Sequence, residues 1–86
     1  MILHLRHARG LEEGRVRARA AGGEASELYP GLPWSEVESR VAGDWRRMRG
    51  GSPLAWTQVR ADAHSGWQVA WLQRADRLRD DAPVVD

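Results

Sequence analysis

The sequence predicts a small all-α domain, and three observations carry that prediction. Trp34, Trp45, Trp56 and Trp67 recur at intervals of 11 residues, and Trp71 follows one helical turn later. Eleven residues is close to three turns of α-helix, so members of such a series face the same way. Apolar stripes of helical period run through residues 33–49 and 53–79. Proline and glycine stand where those stripes begin and end, at Pro30-Gly31, Pro33 and Gly50-Gly51-Ser52-Pro53.

Taken in order, residues 1–10 form a short mixed segment, with Ile2-Leu3-His4-Leu5 read as extended. Residues 11–21 suit a helix but are weakly patterned. Gly14 interrupts them and Gly22-Gly23 ends them, each interior glycine costing about 1 kcal/mol relative to alanine. Residues 24–29 add a last helical piece before the Pro30-Gly31 turn. The N-terminal third is therefore a weak helix and the least determined part of the chain.

The next two helices are much clearer. Pro33 suits a first turn, and Ser35-Glu-Val-Glu38 matches a capping box. Trp34, Val37, Val41, Trp45 and Met48 then form one apolar stripe, predicting a helix over about 33–49. Gly50-Gly51 stops it. Ser52 and Pro53 read as N-cap and first residue of a helix over about 53–79, with Leu54, Trp56, Val59, Ala63, Trp67, Ala70 and Trp71 on one face and Leu78 extending it. Asp80 to Asp86 form an acidic, fraying tail.

The two helices share an internal repeat. Trp34-x-x-Val37 through Trp45 aligns with Trp56-x-x-Val59 through Trp67, and Leu32 and Leu54 each precede the leading Trp by two residues. Two helices joined by a short turn, with tryptophans facing a shared interior, accommodate it. The expected core is Trp34, Val37, Val41, Trp45, Leu54, Trp56, Val59, Trp67 and Trp71. A buried tryptophan removes about 150–250 Å² from water, so these side chains supply much of what an 86-residue chain has for a core.

Composition narrows the function classes. Cysteine is absent, which excludes disulfides, thiolate metal sites and cysteine catalysis. No stretch approaches the ~20 apolar residues of a membrane span, and the start lacks an apolar signal core, so the expected setting is the cytoplasm, with no membrane partner. All 13 basic residues are arginine. That fits either a GC-rich genome or bidentate contact with phosphate and carboxylate. The net charge of +1 hides blocks: +3 over residues 1–20, −4 over 21–45, +5 over 46–79 and −3 in the tail. Such blocks steer an acidic partner or pair internally.

Residues 30–71 resemble the second and third helices of an HMG box. The likeness rests on Pro30, Leu32, Trp34, Glu36-Val37, Val41-Ala42, Gly43, Trp45, Trp56, Trp67 and Trp71, with Arg46 and Met48 at matching basic and aliphatic positions. It implies a three-helix, HMG-box-like domain that binds nucleic acid. The chain departs from the family in lacking lysine, in its acidic second helix and in having no aromatic before Tyr29, so no groove-entering wedge residue carries over. The same stretch is similar to an uncharacterised bacterial family often attached to stress-associated proteins, through Trp34 to Val37, Asp44-Trp45, Ser52-Pro-Leu54-Ala-Trp56 and Gly66-Trp67. No activity follows from that likeness.

Candidate chemistry is correspondingly spare. Leu5-Arg6-His7-Ala8 is similar to the Arg-His start of histidine phosphatases, but 86 residues cannot supply the rest of that site. His4, His7 and His64 have no carboxylate cluster at metal-ligand spacing, so neither metal nor cofactor is expected. No nucleophile triad or glycine-rich phosphate loop is present, and an enzyme is not expected. Two functions stay open. One is nucleic-acid binding without sequence reading, through Arg6, Arg9, Arg15, Arg17, Arg19, Arg40, Arg46 and Arg47 to phosphates. The other is a protein-interaction or stress-associated module. Oligomeric state is left open by the sequence.

Overall fold

The computed structural model describes the backbone of residues 2–80 and the side chains of residues 10–79. Within that range the chain is three helices without a strand: α1 Ile2–Leu28, α2 Trp34–Met48 and α3 Trp56–Asp80. The last two stand close to where periodicity puts them. The first does not match its expectation. Ile2 to Leu5 are helical rather than extended, and one 27-residue helix runs unbroken through Gly14, Gly22 and Gly23. Residues 81–86, the expected fraying tail, lie outside the described residues.

The glycines that weaken α1 locally are what let it pack. Gly14, Ala18, Gly22 and Ser26 recur every fourth residue and make one ridge of small side chains. An added Cβ at Gly22 would collide with the Ala63 carbonyl oxygen, and one at Gly66 with the Arg19 carbonyl oxygen. The two helices thus touch backbone to backbone, each offering a glycine to the other's carbonyl. Ala18 and Ala63 are fully buried in the same seam. Contacts ascend in both helices, from Gly14 beside Leu54, through Gly22 beside Ala63, to the Ser26 carbonyl beside Arg74. α1 and α3 therefore run side by side in the same direction, and α2 returns antiparallel to both.

α2 covers one face of that pair. Val37 and Val41 pack on Ala21 and Ala25 of α1, while Trp45 joins Ala18, Leu54, Val59 and Ala63. Val37 and Val59, which are equivalent in the internal repeat, are both 0% exposed. α1 and α3 are offset along their length. Gly22 lies level with Ala63, so the last turns of α3 project past Leu28. The extents of 64 × 25 × 16 Å reflect this, because a 27-residue helix alone is only about 40 Å long.

The helix ends are built differently from the expected caps. α2 starts at Trp34 with Pro33 as N-cap and no side-chain cap, so Ser35 lies inside the helix and no capping box forms. Glu38 instead reaches α3, where both its oxygens accept from Arg60 Nη2 at 2.6 and 3.0 Å. α2 closes at Arg49, and Gly50 takes a left-handed φ of 61°, a conformation glycine adopts without a Cβ penalty. Ser52 is buried before α3 rather than capping it, and its hydroxyl accepts the Leu54 N–H at 3.3 Å. α3 begins at Trp56, with Gln58 Oε1 accepting the Ala55 N–H at 2.9 Å.

The tryptophans divide by depth. Trp45 is buried and its indole N–H donates to the Leu54 carbonyl at 2.9 Å. Trp34, Trp56 and Trp67 are half-buried. Trp71 is 45% exposed and so is not a core residue, and Leu78 does not extend the buried face, being 67% exposed. Because α2 and α3 are antiparallel, the leading Trp of each helix meets the trailing Trp of the other. Trp34 packs on Trp67 at 5.7 Å between ring centroids, and Trp45 on Trp56 at 6.2 Å, both tilted. Equal 11-residue steps on both helices make the two contacts possible at once. Tilted geometry of this kind is favoured by the ring quadrupoles.

Candidate functional site

The arginines proposed to meet phosphate are largely occupied within the chain. Arg17 pairs with Glu13, Arg19 with Asp62 and Arg47 with Asp44. Arg40 lies over the Tyr29 ring, 4.8 Å from its centroid. Outside the expected set, Arg60 pairs with Glu38, Arg79 with Asp76, and Arg74 donates to the Ser26 carbonyl. Arg15 and Arg46 are exposed and have no ion pair among the described residues. The side chains of Arg6 and Arg9 lie outside the described residues. The densest grouping is a corner where the Arg17 guanidinium lies against Gly50, close in sequence to Arg46, Arg47 and Arg49.

His64 stacks on Trp34, with centroids 4.6 Å apart and rings within 5° of parallel, and also touches Trp67. Its ring therefore serves the aromatic cluster between α2 and α3. His4 and His7 lie outside the residues with described side chains. Among the described residues no three metal-ligating side chains come together, and no helix is long and apolar enough to cross a membrane.

The surface that sequence reasoning missed is apolar. Val16, Leu28, Val69, Trp71, Leu72 and Leu78 are large hydrophobic side chains that stay exposed. They fall into three places. A groove of about 350 Å³ between α1 and α2 is floored by Ala21, Ala25 and Val41, with Leu28 at its lip. A second of about 650 Å³ lies between α1 and α3 on the face away from α2, flanked by Val16 and Val69. The third is the projecting end of α3, where Trp71, Ala75 and Leu78 share one helical face and Leu72 stands beside it. A signal for the second was legible: Val16, Ala20, Gly23 and Glu27 follow helical spacing, but on a stripe opposite the one that faces α2.

No protein-family model, characterised protein or solved structure matches this chain.

Proposed function

We propose that the chain is a non-enzymatic helical interaction module of the cytoplasm, docking a protein partner through the projecting end of α3. The observation that carries this reading is the exposure of Trp71, Leu72 and Leu78, at 45%, 56% and 67%, on turns that run past the end of α1. A tryptophan flanked by leucines on one helix end is the composition of an interface anchor, since aromatic side chains dominate binding hot spots. A photo-crosslinking residue at position 72, compared with one at the exposed Ser39 of α2, tests it. The expected result is a discrete polypeptide adduct from position 72 that disappears with Trp71→Ala. Identical adducts from both positions, or none from position 72, would overturn it.

A second reading rests on the corner where Arg17 meets the end of α2. It keeps the HMG-box-like architecture for α2 and α3 and assigns the corner, through Arg17, Arg46, Arg47 and Arg49, to phosphates of nucleic acid. Its support is the tryptophan spacing of residues 30–71 and that local surplus of cations. Anisotropy titration of a labelled duplex at low salt decides it. Binding that weakens steeply with salt, and less steeply after Arg46→Ala, fits this reading. No binding at tens of micromolar, or affinity indifferent to salt, excludes it.

A further inference from the structure

The contacts between α2 and α3 repeat the equivalence that their sequences share. Exchanging Trp34 with Trp56 and Trp45 with Trp67 turns the Trp34–Trp67 contact into the Trp56–Trp45 contact. The two ring pairs also match in geometry, with centroids 5.7 and 6.2 Å apart and planes at 46° and 57°. Val37 and Val59 exchange in the same way, and both are fully buried. An antiparallel pair of like helices so related has a pseudo-two-fold axis across its middle, the geometry of an isologous interface placed within one chain.

A ladder of this kind does not name its own partner. The rings that fit α2 to α3 would equally fit α2 to α2 of a second copy, and α3 to α3. Burial of apolar area is non-directional and cannot separate the three pairings. What separates them must differ between the two halves of the repeat.

Two positions differ near the axis. Glu38 and Arg60 are equivalent in the repeat, 22 residues apart, yet they meet each other, with both carboxylate oxygens accepting from Arg60 Nη2 at 2.6 and 3.0 Å. Residues that an axis exchanges can touch only where the axis passes, so this pair marks it. His64 is the equivalent of Ala42, and Trp34 stacks on it with centroids 4.6 Å apart. Against a second α2, Trp34 would meet an alanine there and lose the stack.

We propose that the Glu38–Arg60 pair is a pairing selector, assigning α2 to α3 of its own chain and excluding exchange of these helices between copies. In the observed pairing the charges attract. An α2–α2 pairing would set glutamate against glutamate, and an α3–α3 pairing arginine against arginine. An exchanged dimer therefore replaces two attractions with two repulsions. The pair need not be strong to do this. The Arg60 side chain is 58% exposed, so its contribution to stability is small, whereas selection depends only on the difference between pairings. Residues 49–55, which join α2 to α3, are the segment that would open in an exchange. The selector lies in the helix seam and does not rest on partner docking at the end of α3.

Refolding of the full chain from denaturant, across a hundredfold range of concentration and with sizes read by sedimentation velocity, is the test. The wild type is expected to refold as a monomer. Glu38→Arg and Arg60→Glu each make all three pairings like-charged and so erase the preference. Glu38→Gln combined with Arg60→Gln erases it without any repulsion, which keeps the fold intact. All three are expected to raise the ratio of dimer to monomer about 10-fold or more at a given concentration. Exchanging the charges, Glu38→Arg combined with Arg60→Glu, is expected to return it to the wild-type value. Arg15→Glu, the same change of net charge on α1, is expected to leave it unmoved. Monomeric refolding of the glutamine pair and both single variants would overturn the proposal. So would a charge exchange that fails to restore the monomer, a wild type that dimerises as much as the variants, or an Arg15→Glu chain that dimerises as much as Arg60→Glu.

Discussion

Two interfaces hold this molecule together by opposite means. Where α1 meets α3, side chains are small: Ala18 and Ala63 share the seam, and at Gly22 and Gly66 a carbonyl oxygen of the other helix sits where a side chain would begin. Where α2 meets that pair, the gap is filled by the largest residues available, with Trp34, Trp45, Trp56 and Trp67 crossing between α2 and α3. The first interface gains from many short contacts between backbones, each worth about 0.1–0.2 kcal/mol per atom pair. The second gains from apolar area, about 25 cal/mol for each Å² removed from water. Close packing without side chains tolerates no added atom, whereas an interface of large rings loses most when atoms are removed. The same domain should therefore be broken by enlargement on one side and by truncation on the other.

The sharpest break is at Gly22. A leucine there must displace the Ala63 carbonyl, which belongs to helix backbone and cannot swing away. Gly22→Leu is expected to separate α1 from α3 and abolish cooperative unfolding, an overpacking effect at or beyond the usual ~1–3 kcal/mol. A melting curve close to wild type would show that the seam is looser than described. On the other side, Trp45→Ala removes a buried ring and its hydrogen bond to Leu54 and should cost about 3–5 kcal/mol. Chemical denaturation showing a loss under about 1 kcal/mol would remove Trp45 from the core.

Two smaller effects sharpen the contrast. Ser26 is fully buried in the α1–α3 seam, and its hydroxyl has no hydrogen-bond partner. Ser26→Ala should therefore stabilise the fold by about 1 kcal/mol, since an unmade buried hydrogen bond is a penalty rather than a contact. Destabilisation on thermal melting would mean that the hydroxyl is bonded after all. Gly43, in the middle of α2, has nothing within 4 Å of where a Cβ would lie. Gly43→Ala should gain about 0.5–1 kcal/mol through helix propensity alone. A glycine outside the seam thus answers in the opposite direction from Gly22, and equal responses at the two positions would refute the distinction.

Much of the α2–α3 half was legible in the chain. The apolar stripes placed α2 over about 33–49 and α3 over about 53–79, and Gly50 ended α2 where the stripe stopped, although α3 starts at Trp56 rather than at Pro53. The capping assignments were less legible, because a box such as Ser35 to Glu38 names a possible hydrogen bond and not the best one. Glu38 finds a charged partner in Arg60, across 22 residues of chain, and that partner is invisible to a local motif. The candidate site was the least legible part. Arg17–Glu13 and Arg47–Asp44 are local pairs that helical spacing shows, whereas Arg19–Asp62 joins two helices and only the fold shows it. Which apolar residues stay exposed depends on the offset between α1 and α3, and no spacing within one helix reports an offset between two.

The sequence by itself determined that the chain is helical, roughly where α2 and α3 lie, and that tryptophans face the space between them. Those features follow from period, helix-breaking residues and apolar mass, all of which act within a few turns of chain. Only the tertiary structure decided that α1 is a single long helix. Gly22 costs α1 about 1 kcal/mol locally, and what offsets that cost is the backbone of α3, some forty residues away, while Gly14 makes room for the Ser52 and Leu54 side chains just before α3. A glycine in a helix reads as a fault until the neighbour that needs its empty side is in place.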